Sequence, residues 1–236
     1  MKNLQLYEAA DINAIKKKIY DELGYKAINE SYVIETPSGV DLPTELLSSR
    51  SKKILNNLLE LYTSELNHVS AKLDTAIRDV KMPDASYYVS LKAQEGRLLQ
   101  LSFLLGLHKT NISDMQSMLT MNTLTYMRLE RDFGTFDSWQ KDMIACAIGS
   151  ERFAITAYNV HLRRYMNLIV DDCHPLPPSV LPIISICVMP QLYTRDYLDD
   201  RKSYIYAMMK ELAWGKIEER IKNTEAAAKA YMGGNK

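Results

Sequence analysis

Four histidines and three cysteines are the side chains of this chain best suited to ligate a metal ion or act as nucleophiles. His68, His108, His161 and His174 make no pair at helical spacing, and Cys146, Cys173 and Cys187 make no CxxC unit. The cysteines therefore read as buried, reduced thiols. Cys173 and His174 are adjacent in sequence, a spacing that rarely yields a thiolate pair. The chain contains no Walker loop, zinc-ligand spacing or nucleophile elbow. What remains is charge. Lys16, Lys17 and Lys18, then Arg50 with Lys52 and Lys53, then Arg163 with Arg164 form three basic clusters, read as solvated faces and as candidate contacts to RNA or an acidic partner. Lys and Arg total 29 against 29 Asp and Glu, a balance that excludes extensive coating of nucleic acid.

The elements that must position these groups follow from periodicity in a chain of 236 residues, 47% hydrophobic and 25% charged. Residues 1–42 read as an N-terminal extension, in which Leu4, Leu6, Ile12, Ile15 and Ile19 suggest a short amphipathic helix and residues 36–39 a turn. Its start carries acids and is not expected to serve as a mitochondrial presequence; no secretory signal is visible, and no apolar run approaches the ~20 residues of a membrane span. A helical domain is expected over 43–129. A first long helix over 43–77 carries Leu47, Leu55, Leu58, Tyr62, Leu66, Val69 and Leu73, and a second over 84–107 carries Leu91, Leu98, Leu101 and Leu105. The two form a hairpin, followed by a methionine-rich helix over 113–129.

An α/β domain is expected over 130–223, then a tail over 224–236. It opens with Arg131-Asp132-Phe133-Gly134-Thr135-Phe136-Asp137. Gly134 there supplies a turn, Phe133 and Phe136 anchor the core, and Asp137 caps the next helix. Residues 153–158, 165–170 and a run from Ile183 read as three strands. Pro190 ends the third strand and Tyr193, Tyr197, Ile205 and Met208 continue at helical spacing.

These segments resemble the iron/manganese superoxide dismutases. That family carries Arg-Asp-Phe-Gly-Ser-Phe-Asp where this chain has residues 131–137, and Val188, Tyr193, Asp196, Tyr197, Arg201, Tyr204 and the Trp214 to Arg220 ending also match. The resemblance spans roughly 43–223. It implies an α+β fold with a long N-terminal α-helical hairpin and a C-terminal three-stranded antiparallel sheet with helices, in which Phe133, Gly134, Phe136, Tyr197 and Trp214 define the fold. It also places the family's three histidine ligands and one aspartate ligand at Leu55, Leu101, Cys187 and Gln191, and a glutamine that hydrogen-bonds the metal's water at Cys173. Leucine donates no lone pair, so the resemblance implies lost metal ligands, no cofactor, no catalytic residue and a chain that is not an enzyme. Dismutase-like chains without ligands serve in the small subunit of the mitochondrial ribosome. The expected function is thus a non-catalytic structural subunit there, in the mitochondrial matrix, paired as a heterodimer with a second dismutase-like chain and with limited rRNA contact. The alternatives are an accessory subunit of a respiratory complex and a divergent dismutase.

Overall fold

A seven-residue strand, β1 (Phe153–Asn159), is buried along nearly its whole length, because both of its faces are covered. Its side chains alternate: Phe153, Ile155 and Ala157 enter one apolar cluster, while Ala154 and the partly buried Tyr158 enter another. β2 (Arg164–Val170) and β3 (Val180–Cys187) flank it, giving an antiparallel sheet of order β2-β1-β3. Phe153 stands opposite Val170 on one side and Cys187 on the other, and a bulge interrupts the second pairing between Thr156 and Ala157. The structure, a computed structural model, describes residues 32–35, 42, 44–76, 86–112 and 118–232. Lys16, Lys17, Lys18, Met115 and the break over 80–85 lie outside the described residues.

Helix α1 (Ser49–Thr75) starts where Ser48 Oγ accepts from Ser51 N at 3.3 Å and Ser48 N donates to Asp196 at 2.9 Å. This capping places the start six residues later than the expected boundary at 43. Helix α2 (Tyr87–Asn111) runs past the expected end at 107, because His108 and Asn111 reach β3. The methionine-rich helix is corrected. Met118 and Met121 are exposed and non-helical, and α3 (Leu124–Phe133) begins only after Thr123, which caps Tyr126 N at 3.3 Å. Gly134 then takes φ 85, the left-handed turn expected of it. Helix α4 (Phe136–Gly149) is capped by Thr135, which accepts from Ser138 N at 3.0 Å. Asp137, expected as the cap, lies in the first turn and pairs with Lys141 at 2.6 Å. After β3 follow α5 (Pro190–Tyr197), opened by proline at its first turn, α6 (Arg201–Lys210), capped by Asp200, and α7 (Trp214–Tyr231).

The chain divides into two compact units, one from the described parts of 1–34 and 66–95, the other from 35–65 and 96–236. In the first, Leu66, Val69, Leu73 and Leu91 are buried. The second holds the sheet and both large clusters. On the α4 side, Trp139, Met143 and Ala147 pack with Ala154, Tyr165, Ile184 and Ile186; on the opposite side, Leu55, Leu59, Leu101, Leu104 and Leu105 pack with Phe153, Ile155, Val170 and Cys187. Among the described residues no helix is long and apolar enough to cross a membrane.

Candidate functional site

Four positions from four elements set the centre of interest: Leu55 on α1, Leu101 on α2, Cys187 at the end of β3 and Gln191 in the first turn of α5. Three of them meet. Leu55, Leu101 and Cys187 are at most 3% exposed and belong to one apolar cluster with Met189 and Leu192. Gln191 stands outside it, exposed, with its Nε2 donating to Met189 Sδ at 3.7 Å. Tyr62 is half-buried at the rim, its hydroxyl 4.0 Å from the same sulfur. Burial raises the Tyr62 phenol, with Arg152 and Arg97 acting against that rise. Those two guanidiniums bracket Asp172, Arg152 at 2.5 Å and Arg97 at 3.1 Å.

Burial pushes the Cys187 thiol up to about 12, so it is held as S–H and is a poor ligand or nucleophile. Its backbone is tightly held. The Cys187 carbonyl accepts from Tyr204 Oη at 2.7 Å, and its N–H points at His108 Nδ1 at 3.3 Å. His108, in the last turn of α2, is fully buried and bridges the outer edge of β3, with Nδ1 also 3.3 Å from the Ser185 carbonyl. The Cys187 N–H can only donate, so we assign His108 as the Nε2–H tautomer, with Nδ1 accepting from it. Nε2 then has no partner among the described residues, and desolvation lowers the imidazole to about 4, keeping it neutral. No sequence signal marked this role, since it depends on α2 ending beside β3.

A manganese or iron ion needs nitrogen and oxygen donors, and the residues present do not fit one. Two leucines offer none, the thiol keeps its proton, and Gln191 turns to a methionine sulfur. Among the described residues no group of three or more His, Cys, Asp or Glu could hold a metal ion. Cys173 is exposed; its N–H donates to Asp171 Oδ1 at 2.9 Å, and the same oxygen takes His174 Nδ1 at 2.8 Å. The third thiol, Cys146, is half-buried, so the expectation of three buried cysteines holds in full for Cys187 alone.

The fold-defining residues gather on the other side of the sheet. Phe136 stacks on Tyr126 at 5.3 Å, lies tilted against Trp139 at 4.9 Å and meets Trp214 edge-on at 5.9 Å. Phe133 packs on the same cluster, and Tyr197 donates to the Leu46 carbonyl at 2.8 Å. Of the basic clusters, Arg50, Lys53, Arg163 and Arg164 are exposed and Lys52 is half-buried; Arg164 donates to the Asp132 carbonyl at 2.7 Å.

Residues 122–220 match the profile of the iron/manganese superoxide dismutases, C-terminal domain. The α+β architecture with its three-stranded antiparallel sheet is the one expected of that resemblance. The chain is similar to superoxide dismutase [Mn] 1 of Halobacterium salinarum, 30% identical over 106 residues, covering 44% of this chain and 51% of that protein. It is also similar to the superoxide dismutase [Fe] of Aquifex aeolicus, 31% identical over 108 residues, covering 44% of this chain and 48% of that protein. The chain thus spans about half the length of the curated relatives it matches. These relatives correct one expectation: they are named as superoxide dismutases, enzymes, which overturns the reading of the chain as a non-enzyme.

Proposed function

We propose that this chain is a structural subunit of a larger assembly, the small subunit of the mitochondrial ribosome in the mitochondrial matrix, paired there with a second dismutase-like chain. The observation that carries this reading is the packing of Leu55, Leu101 and Cys187 into one apolar cluster. A fold whose centre is held by hydrocarbon contacts needs no ion to stand, and serves well as a building part. The balance of 29 basic and 29 acidic residues suits a subunit held mainly by proteins, with exposed Arg50, Lys53, Arg163 and Arg164 for limited rRNA contact. Pro190 stands where the resemblance puts the glutamate that reaches across a dismutase dimer, which favours a different chain as partner.

The test is gradient sedimentation of a mitochondrial lysate, following this chain against small-subunit rRNA with and without RNase. Co-migration that shifts on digestion is the expected result. Migration elsewhere overturns the ribosomal reading, and migration with a respiratory complex replaces it.

The dismutase relatives favour a second reading, a divergent superoxide dismutase. Elemental analysis of the purified protein decides it. Stoichiometric manganese or iron together with superoxide consumption establishes this reading, and metal-free protein without that activity removes it.

A further inference from the structure

The two edges of the sheet are finished in different ways. On β3, side chains take most of the outward-facing backbone groups: Arg220 on the Ile183 carbonyl, Asn111 on the Ser185 carbonyl, His108 on the Cys187 N–H and Tyr204 on the Cys187 carbonyl. On β2, Tyr165 N donates to Asp132 Oδ2 at 2.7 Å and so points away from β1. Alternation along an antiparallel pair then turns Asn167 and Ile169 outward as well, while Arg164, Met166, Leu168 and Val170 bond to β1. The Tyr165 carbonyl and the N–H and carbonyl of Asn167 and Ile169 have no partner among the described residues. An edge left open in this way is a template for another strand.

Beside that edge lies an open cleft of about 540 Å³, lined among others by Ser138, Asp142, Arg164, Met166 and Asn167. Asp142 is its uncommitted anion. The residue is exposed, and its carboxylate takes one hydrogen bond, from Asn167 Nδ2 at 2.9 Å; the Asp132 carboxylate, by contrast, is occupied by Arg131 and Tyr165 N. On the opposite face of the strand, Met166 and Leu168 are partly exposed.

We propose that the β2 edge is a docking site for an extended segment of another protein chain, added as a fourth strand, with basic side chains toward Asp142 alternating with apolar ones over Met166 and Leu168. The ladder groups supply affinity and the side-chain alternation supplies selectivity. A second copy of this chain is a poorer occupant, because two-fold pairing about Asn167 brings two Asp142 carboxylates together. The inference stands independently of the ribosomal reading.

The probe is a fluorescent heptapeptide alternating valine and lysine, with a valine–glutamate heptapeptide as control. Anisotropy reports binding, and amide hydrogen exchange reports its place. The lysine peptide is expected to bind roughly two- to fivefold tighter than the control and to slow exchange at Asn167 and Ile169. Ile169→Pro removes an outward N–H that β1 does not use, so binding is lost while the protection of β1 persists. Asp142→Lys, an exposed substitution, reverses the preference toward the glutamate peptide and keeps the proposal testable if the proline variant does not fold. Equal binding of both peptides, protection away from β2, or protection that grows with protein concentration in the absence of peptide overturns it.

Discussion

The two faces of the sheet are built by different rules. On the α4 side, polar groups are threaded through the core in a satisfied chain: Trp139 Nε1 donates to Thr156 Oγ1 at 2.9 Å, Thr156 donates to Asn167 Oδ1 at 2.6 Å, and Asn167 Nδ2 donates to Asp142 at 2.9 Å. On the opposite side, the side chains of Leu55, Leu101 and Cys187 sit among hydrocarbon, and the polar bonds beside them end on backbone groups, such as Ser185 Oγ on the Leu104 carbonyl at 3.0 Å, or on the Met189 sulfur. A buried polar chain demands particular atoms at particular places, whereas an apolar cluster demands volume. The residues that carry the resemblance to the dismutases lie on the first face, and Leu55, Leu101 and Cys187, three of the positions where that resemblance puts metal ligands, lie on the second.

The largest test of that contrast is Trp139→Ala, which deletes a fully buried ring of the aromatic cluster and the hydrogen bond it donates to Thr156. The expected loss is about 3–5 kcal/mol in urea unfolding. The sharper comparison uses conservative changes. Trp139→Phe keeps most of the volume yet loses about 1–3 kcal/mol because the buried Thr156 oxygen loses the donor it accepts from, while Leu55→Met costs below about 1.5 kcal/mol. Equal losses would show that the two faces share one rule.

His108 gives a pH-dependent version. Its folded value of about 4 lies below the ordinary 6.5, so the unfolded chain takes up the proton first. The stabilising contribution is complete above pH 6.5, falls as pH drops, and is gone below the folded value, a loss of about 3 kcal/mol. Unfolding measured from pH 7.5 to 4 should show a slope that His108→Gln flattens. An unchanged slope in the variant assigns the acid sensitivity to other groups.

Much of this architecture was legible in the sequence. Gly134 announced its turn because a positive φ is costly for other residues, and the three strands announced themselves by β-branched and aromatic runs. Other features were not legible. Thr135 and Asp137 are both capping residue types, and which one takes the cap is settled by the backbone, not by composition. Methionines at 115, 118, 121 and 127 imitate helical spacing, yet Thr123 starts the helix after most of them. His108 and the open edge of β2 depend on which element lies beside which strand, information that local periodicity does not carry.

Glu211 breaks the rule of both faces. It is fully buried, and neither carboxylate oxygen has a hydrogen-bond partner among the described residues. Burying such a group without partners is costly, so Glu211→Gln should raise unfolding stability by roughly 1–3 kcal/mol. A loss of stability instead would reveal a partner for the carboxylate.

The smallest effect is expected where charge is most conspicuous. Arg97 and Arg152 both reach Asp172, but the aspartate side chain is 51% exposed and the Arg97 side chain 55%. Water screens such pairs and two long side chains lose freedom in making them, so Asp172→Asn should cost below about 1 kcal/mol, with the difference shrinking further in salt. The same substitution leaves the guanidiniums near Tyr62, whose phenol they draw down against the effect of burial. With Asp172 neutral, that pull is less compensated, and the phenol should titrate lower in a spectrophotometric titration that follows phenolate absorbance. A stability loss well above ~1 kcal/mol would instead mean that the cluster of Leu55, Leu101 and Cys187 depends on this ionic rim to exclude water, and the apolar face would no longer stand on volume alone.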